Sequence, residues 1–124
     1  MSTRDKRLGD WGEQKAAQHL LEKGYQIVAR NFRWARGEID IVAQKANMLV
    51  FVEVKTASSI NMGDPSTWVT PKKQSQIAQV AQKFLFDYAI TDQDCRFDVI
   101  GVLKTASSYR LQHIENAFWL HQNE

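Results

Sequence analysis

Asp40, Glu53 and Lys55 stand in two short runs, Gly37-Glu38-Ile39-Asp40-Ile41-Val42 and Val52-Glu53-Val54-Lys55, where charged residues interrupt an apolar, β-branched alternation. Alternation of this kind marks a β-strand. A turn at Lys45-Ala46-Asn47-Met48 pairs the two strands so that opposed residue numbers sum to 93. That register sets Asp40 against Glu53 and Glu38 against Lys55, all four on one face, with Ile39, Ile41, Val52 and Val54 on the other. Directly opposed carboxylates repel, so the pair calls for a cation between them. A divalent metal with a lysine alongside is a phosphodiester-cutting arrangement. The competing reading is a solvated strand face, with Glu38 and Lys55 as a surface ion pair worth under about 1 kcal/mol.

Two further residues conflict with their local context. Glu13 precedes Ala16 and Ala17 by three and four residues, so it projects from the apolar stripe of a helix. It either closes a capping box with Asp10 or points over the sheet toward Asp40 and Glu53. Lys72 and Lys73 fall in the first turn of a second helix, where the dipole disfavours cations. An anionic ligand there offsets the conflict; otherwise they are two tolerated surface lysines. Arg30, Arg33 and Arg36 interleave with Phe32 and Trp34 just ahead of the acidic strands, as suits a grip on a phosphate backbone.

The elements that must position these residues follow from periodicity and punctuation. A first helix is expected from about Asp10, or from as early as Thr3, to Lys23, with stripe Ala16, Ala17, Leu20 and Leu21 and with Gly24 at the C-terminal cap. Tyr25 to Arg30 reads as a strand before the charged hairpin. The segment from Thr56 to Val69 has no clear period and is long for a connection, the kind of loop that tends to be functional or mobile. Thr70 as N-cap and Pro71 at N1 open a second helix to about Tyr88, with stripe Ile77, Val80, Ala81, Phe84, Leu85 and Tyr88. Strands Arg96–Leu103 and Arg110–Ile114 follow, then the apolar tail Ala117-Phe118-Trp119-Leu120. Asp98 is read as the partner of a neighbouring cation. The order suggests a mixed sheet with helices packed on it.

At 124 residues the chain is expected to be one domain, 1–124, with an ordinary globular composition. Net charge is only +2, but residues 1–36 hold eight Lys/Arg against four Asp/Glu, and the remainder eight against ten. No apolar run suits a membrane span and no secretory signal pattern is read at the start. The lone Cys95 excludes an internal disulfide and fits a reducing cytosol, so a cytoplasmic location is expected. Cys95 is read as a small core or strand-entry residue. His19, His113 and His121 have no ligand spacing and are read as structural or exposed.

The chain resembles the PD-(D/E)xK nucleases, whose restriction-endonuclease-like core carries Asp and Glu-x-Lys on a strand meander between two helices. More closely it is similar to the bacterial YraN family, small uncharacterised proteins. The runs that carry the likeness are Gly9-Asp10-Trp11-Gly12-Glu13, Asn31-Phe32-Arg33, Gly37-Glu38-Ile39-Asp40, Phe51-Val52-Glu53-Val54-Lys55, Lys73-Gln74, Arg96-Phe97-Asp98-Val99 and Asn116-Ala117-Phe118. The resemblance implies an α/β, resolvase-type fold, a mixed central sheet of about five strands flanked by helices. It places Asp40 and Glu53 as acidic metal ligands, Lys55 as the catalytic lysine, Glu13 as the helix carboxylate that completes the metal site, and Lys73 as the family's second-helix lysine. Ile39 stands where the superfamily often has Pro. The function so implied is a Mg²⁺- or Mn²⁺-dependent endonuclease that hydrolyses DNA phosphodiesters, on branched or damaged DNA, as a homodimer. The Val54 carbonyl would join the ligand set, and no small-molecule cofactor is expected. The alternatives are a non-catalytic nucleic-acid-binding or recombination/repair accessory protein, and a scaffold that binds another protein through Trp68 and the long loop.

Overall fold

The computed structural model describes residues 3–58 and 62–118, with side chains from Lys6 onward. Helix α1 spans Thr3–Glu22, strands β1 to β3 span Gln26–Trp34, Gly37–Lys45 and Met48–Ala57, and a 3₁₀ turn follows at Pro65–Thr67. Helix α2 spans Pro71–Asp87, and strands β4 and β5 span Asp94–Lys104 and Tyr109–Ile114. The strands form a single five-stranded sheet in chain order. Only β3 and β4 run parallel, because α2 carries the chain back across one face before β4 begins. The result is an α/β fold with a mixed sheet and two helices, consistent with a restriction-endonuclease-like core. Among the described residues no helix is long and apolar enough to cross a membrane.

Each helix covers one face of the sheet. Ala16, Ala17 and Leu20 of α1 pack on Ile41, Ala43, Val50, Val52, Ile100 and Val102. Ile77, Val80, Ala81 and Phe84 of α2 pack on Val42, Phe51, Phe97 and Val99, and Phe118 closes that cluster. Covered on both faces, β4 is buried continuously from Phe97 to Leu103, without the alternation of a half-buried strand. Asp98 sits within that run and is fully buried.

Several sequence expectations are corrected. Asp10 does not cap α1, which passes through it; its carboxylate pairs with Lys6 one turn earlier (3.1 Å). Leu21 and Tyr88 do not join the buried stripes and are 56% and 50% exposed, Tyr88 stacking instead on the edge of the core against Phe84. Strand β1 continues to Trp34, four residues beyond Arg30, bending at Asn31, whose φ of 54° lies in the left-handed region. Asn tolerates that region better than most residues. Thr70 and Pro71 begin α2 as the sequence implies, Thr70 Oγ1 accepting from the Lys73 N–H (3.2 Å). Trp119 to Glu124, including His121, lie outside the described residues.

Two glycines set how closely the helices approach. A Cβ on Gly12 of α1 would fall 2.0 Å from Thr56 Oγ1 on β3, and one on Gly37 of β2 would fall 2.5 Å from Val80 of α2. The contacts bring the middle of α2, at Gln76 and Val80, and the mid-part of α1 down on the same end of the sheet. That end is where β2 and β3 part.

Candidate active site

The β2–β3 ladder runs from Lys45↔Met48 to Ile41↔Val52 in the expected register, then stops. Both strands continue beyond it. β2 stays on β1 as far as Gly37↔Trp34, and β3 stays on β4 as far as Ala57↔Leu103. The sheet therefore forks, and Asp40 stands at the crotch. Its Oδ2 accepts from the Val54 N–H (2.8 Å), replacing a ladder bond with a side-chain one. The β1–β2 ladder also skips Asn31 and Asp40, and β2 changes phase there, since Ile41 packs under α1 and Ile39 under α2. The expected grouping of Ile39 with Ile41 on one face is thus corrected, as is the pairing of Glu38 with Lys55. Glu38 instead meets Arg33 across the β1–β2 pair.

A cavity of about 270 Å³ opens at the fork, lined by Arg36, Gly37, Glu38, Asp40, Glu53, Val54, Lys73, Gln76 and Ile77. Glu53 is only 6% exposed. Burial first, and then the neighbouring Glu53 carboxylate, push the Asp40 carboxyl up to about 9, against a modest opposing pull from the Val54 N–H. Without a cation the pair holds a proton at neutral pH. Lys73 Nζ lies 2.7 Å from Glu53 Oε2, but off the hydrogen-bonding directions, so that this buried oxygen has no hydrogen bond. Burial would lower the Lys73 ammonium, yet the carboxylates of Glu53, Asp40 and Glu38 together outweigh it and raise the pKa.

The remaining candidates are placed as follows. Glu13 is buried, and Arg30 Nε and a terminal guanidinium nitrogen both donate to its Oε1 (3.1 Å each). Asn31 Nδ2 donates to both of its oxygens (2.9 and 3.0 Å). Its charge still contributes to raising Asp40. Arg33 is spent on Glu38 at the surface, so of the four basic candidates Arg36 and Lys73 line the cavity. Lys55 is exposed beside the cavity and is not part of its lining. Asn31 and Gln76 are given no site role by the sequence. Asn31 had a signal in the Asn-Phe-Arg run, and Gln76 lies three residues beyond Lys73 on the same helix face.

Asp98 serves elsewhere. Arg96 donates to both its oxygens (2.8 and 2.9 Å), His113 Nε2 lies 2.7 Å away, and the Asn116 N–H donates at 2.9 Å. Burial pushes its carboxyl up, but these partners together hold it below the usual range. His113 Nδ1 in turn lies 3.1 Å from His19 Nε2, tying β5 to α1. Cys95 is exposed at the entry to β4, its thiol pushed up by burial and by Asp94, which makes it a poor nucleophile.

The donor set at the fork suits a hard cation: two carboxylates, Glu53 turning a buried oxygen to the Lys73 ammonium, and Val54 of the main chain. Among the described residues no third His, Cys, Asp or Glu converges with them.

Known proteins give the chain a family. The model of the uncharacterised protein family UPF0102 matches residues 12–102, a stretch that contains Glu13, the fork and Lys73. A UPF0102 protein of Chlorobium phaeobacteroides (strain DSM 266) is 44% identical over 95% of this chain and 98% of its own length. One from Alkaliphilus oremlandii is 46% identical over 92% and 99%, and one from Chlorobaculum tepidum 45% over 90% and 91%. The chain belongs to the UPF0102 family, the YraN-type family its sequence resembles.

Proposed function

We propose that the fork is the active site of a metal-dependent endonuclease that hydrolyses DNA phosphodiesters. The carrying observation is the burial of Asp40 against Glu53 at a point where the backbone ladder has been given up to place them. Buried like charges destabilise a fold unless a cation joins them, and strained or conflicting placements gather at functional sites. Asp40, Glu53 and the Val54 carbonyl would hold Mg²⁺ or Mn²⁺. Bound there, the ion supplies charge neutralisation at the scissile phosphate and an activated water.

The chain's own residues do the rest. Lys73 and Arg36 line the cleft as the cations that draw in and position the phosphate. Lys73 is paired with Glu53, and on binding its ammonium is free to turn from the carboxylate to a phosphate oxygen. Lys55, two residues beyond Glu53 on the same strand face, orients the water or neutralises charge at the leaving oxygen. Glu13 acts through Arg30 and Asn31, fixing the β1 bend beside Asp40, and adds a negative charge that favours a metal.

A cleavage screen over linear, nicked, flapped and four-way DNA, with Mg²⁺ or Mn²⁺ and with Asp40→Ala alongside, tests this. Metal-dependent cutting by the wild type and none by the variant is expected. DNA binding with no cutting of any form in either metal would replace the proposal with the accessory-protein reading, in which Lys73 permanently fills the cation's place at Glu53.

A further inference from the structure

A second and larger cavity, of about 440 Å³, lies beside the fork. The β3–β4 ladder runs without a break from Met48↔Asp94 to Ala57↔Leu103, so side chains keep their phase along both strands. Phe51 and Val99 belong to the α2-side core. Glu53, Lys55 and Gly101 follow them in steps of two and share that face. Lys55 is the ladder partner of Gly101, and the missing side chain of Gly101 lets Trp68 lie directly on the strand. A Cβ there would come within 2.4 Å of the indole. The ring is also held at its edge, its N–H donating to the Met62 carbonyl (2.9 Å). On β5, Gln112 pairs with Gly101 and Arg110 with Leu103, and both polar residues line the cavity with Trp68. Among the described residues no Asp or Glu lines it.

We propose that this cavity holds an unstacked nucleobase of a single-stranded DNA arm whose scissile phosphate lies at Asp40 and Glu53. The inference rests on the nuclease reading of the fork and names its substrate class. A fixed, half-buried indole is a stacking platform for a base of any sequence. The Gln112 amide both donates and accepts, which suits the edge of a base. Arg110 and Lys55 complement the phosphates on either side of it, Lys55 standing between the two cavities while lining neither. From Glu53 to Gly101 is two residues along the strand and one strand across, roughly 8 Å between backbones, a separation that neighbouring nucleotides of one strand cover. The cavity falls within the roughly 300–1,000 Å³ of small-ligand pockets. A continuous duplex offers no unstacked base, so flapped or splayed DNA is the matching substrate.

The test titrates the full chain, in chelator, into flapped DNA that carries 2-aminopurine at successive positions of the single-stranded arm. The expected result is a fluorescence change confined to bases beside the junction. Trp68→Leu should weaken binding about five- to a hundredfold, and Arg110→Ala should lower the salt slope by about one. Because Trp68 also pins its loop to β4, Gln112→Ala on the exposed edge strand is the second variant, expected to reduce the fluorescence change without shifting the melting temperature. A response spread evenly along the arm, or unchanged affinity and signal in both Trp68→Leu and Gln112→Ala, overturns the inference. Metal-dependent cutting that persists beside such a result leaves the nuclease reading standing, whereas absence of any DNA binding by the wild type removes both.

Discussion

Asp40 closes the end of the β2–β3 ladder through Val54 and at the same time faces Glu53 in a buried cleft. Its carboxyl ordinarily titrates at 3.8 and is pushed up to about 9 in the fold. Over that window the folded chain keeps a proton that the unfolded chain gives up, so metal-free stability falls as pH rises from about 4 to about 9. Asp40→Asn removes this slope while preserving an acceptor for the Val54 N–H. In chelator at pH 8 it should be more stable than wild type by on the order of a few kcal/mol, the gain disappearing near pH 4. Thermal melts across that range check it, and a variant that melts well below wild type at pH 8 would make Asp40 a structural residue. The opposition of Asp40 and Glu53 was legible because a two-residue hairpin turn fixes register. Partner choice was not: Glu13 with Arg30 and Asn31 depends on the β1 bend, which periodicity does not encode.

Among the elements, α1 is the one whose seat on the sheet is most exacting. Alanine at position 12 favours a helix over glycine by about 1 kcal/mol, yet its Cβ would meet Oγ1, Cγ2 and Cβ of Thr56 at 2.0, 2.6 and 2.8 Å. The whole Thr56 side chain, not a flexible tip, must give way. Gly12→Ala should therefore destabilise by about 1–3 kcal/mol, and Thr56→Ala should recover part of the loss in a double-mutant cycle. In the last turn of α1 the Asp98–His113–His19 contacts tie helix to sheet. Removing Asp98 leaves Arg96 without its buried counter-charge and His113 without its hydrogen-bond partner, so Asp98→Ala should cost about 3–5 kcal/mol, read by denaturant unfolding. The depressed Asp98 carboxyl gives the wild type a contribution present above pH 3.8 and lost as pH falls below it. Helix α2 was read closely because Thr70-Pro71 is a strong start signal. The cap of α1 and the burial of β4 were not, although α1 does begin at Thr3, the earlier of its two expected starts. Asp10 and Glu13 match a capping box by spacing alone, and a strand covered on both faces carries no alternation to read.

For the whole molecule, the sheet divides its labour by face. The α1 side holds a closed network centred on Asp98, and the α2 side holds the fork, Lys55 and the Trp68 cavity. A net charge of +2 gives little general attraction to nucleic acid, so affinity must come from cations gathered on that one side. Lys73→Ala should then weaken DNA binding alike across sequences and lower the salt slope by about one, measured by anisotropy in chelator. The central claim, that Asp40 and Glu53 are a cation site, is tested most directly by titrating Mn²⁺ into the DNA-free protein at several pH values. Binding requires Asp40 to lose its proton. Uptake should release about one proton near neutral pH, tighten about tenfold per pH unit up to about 9, and vanish in Asp40→Asn. Mn²⁺ affinity that is independent of pH, or unchanged in Asp40→Asn, would contradict the account.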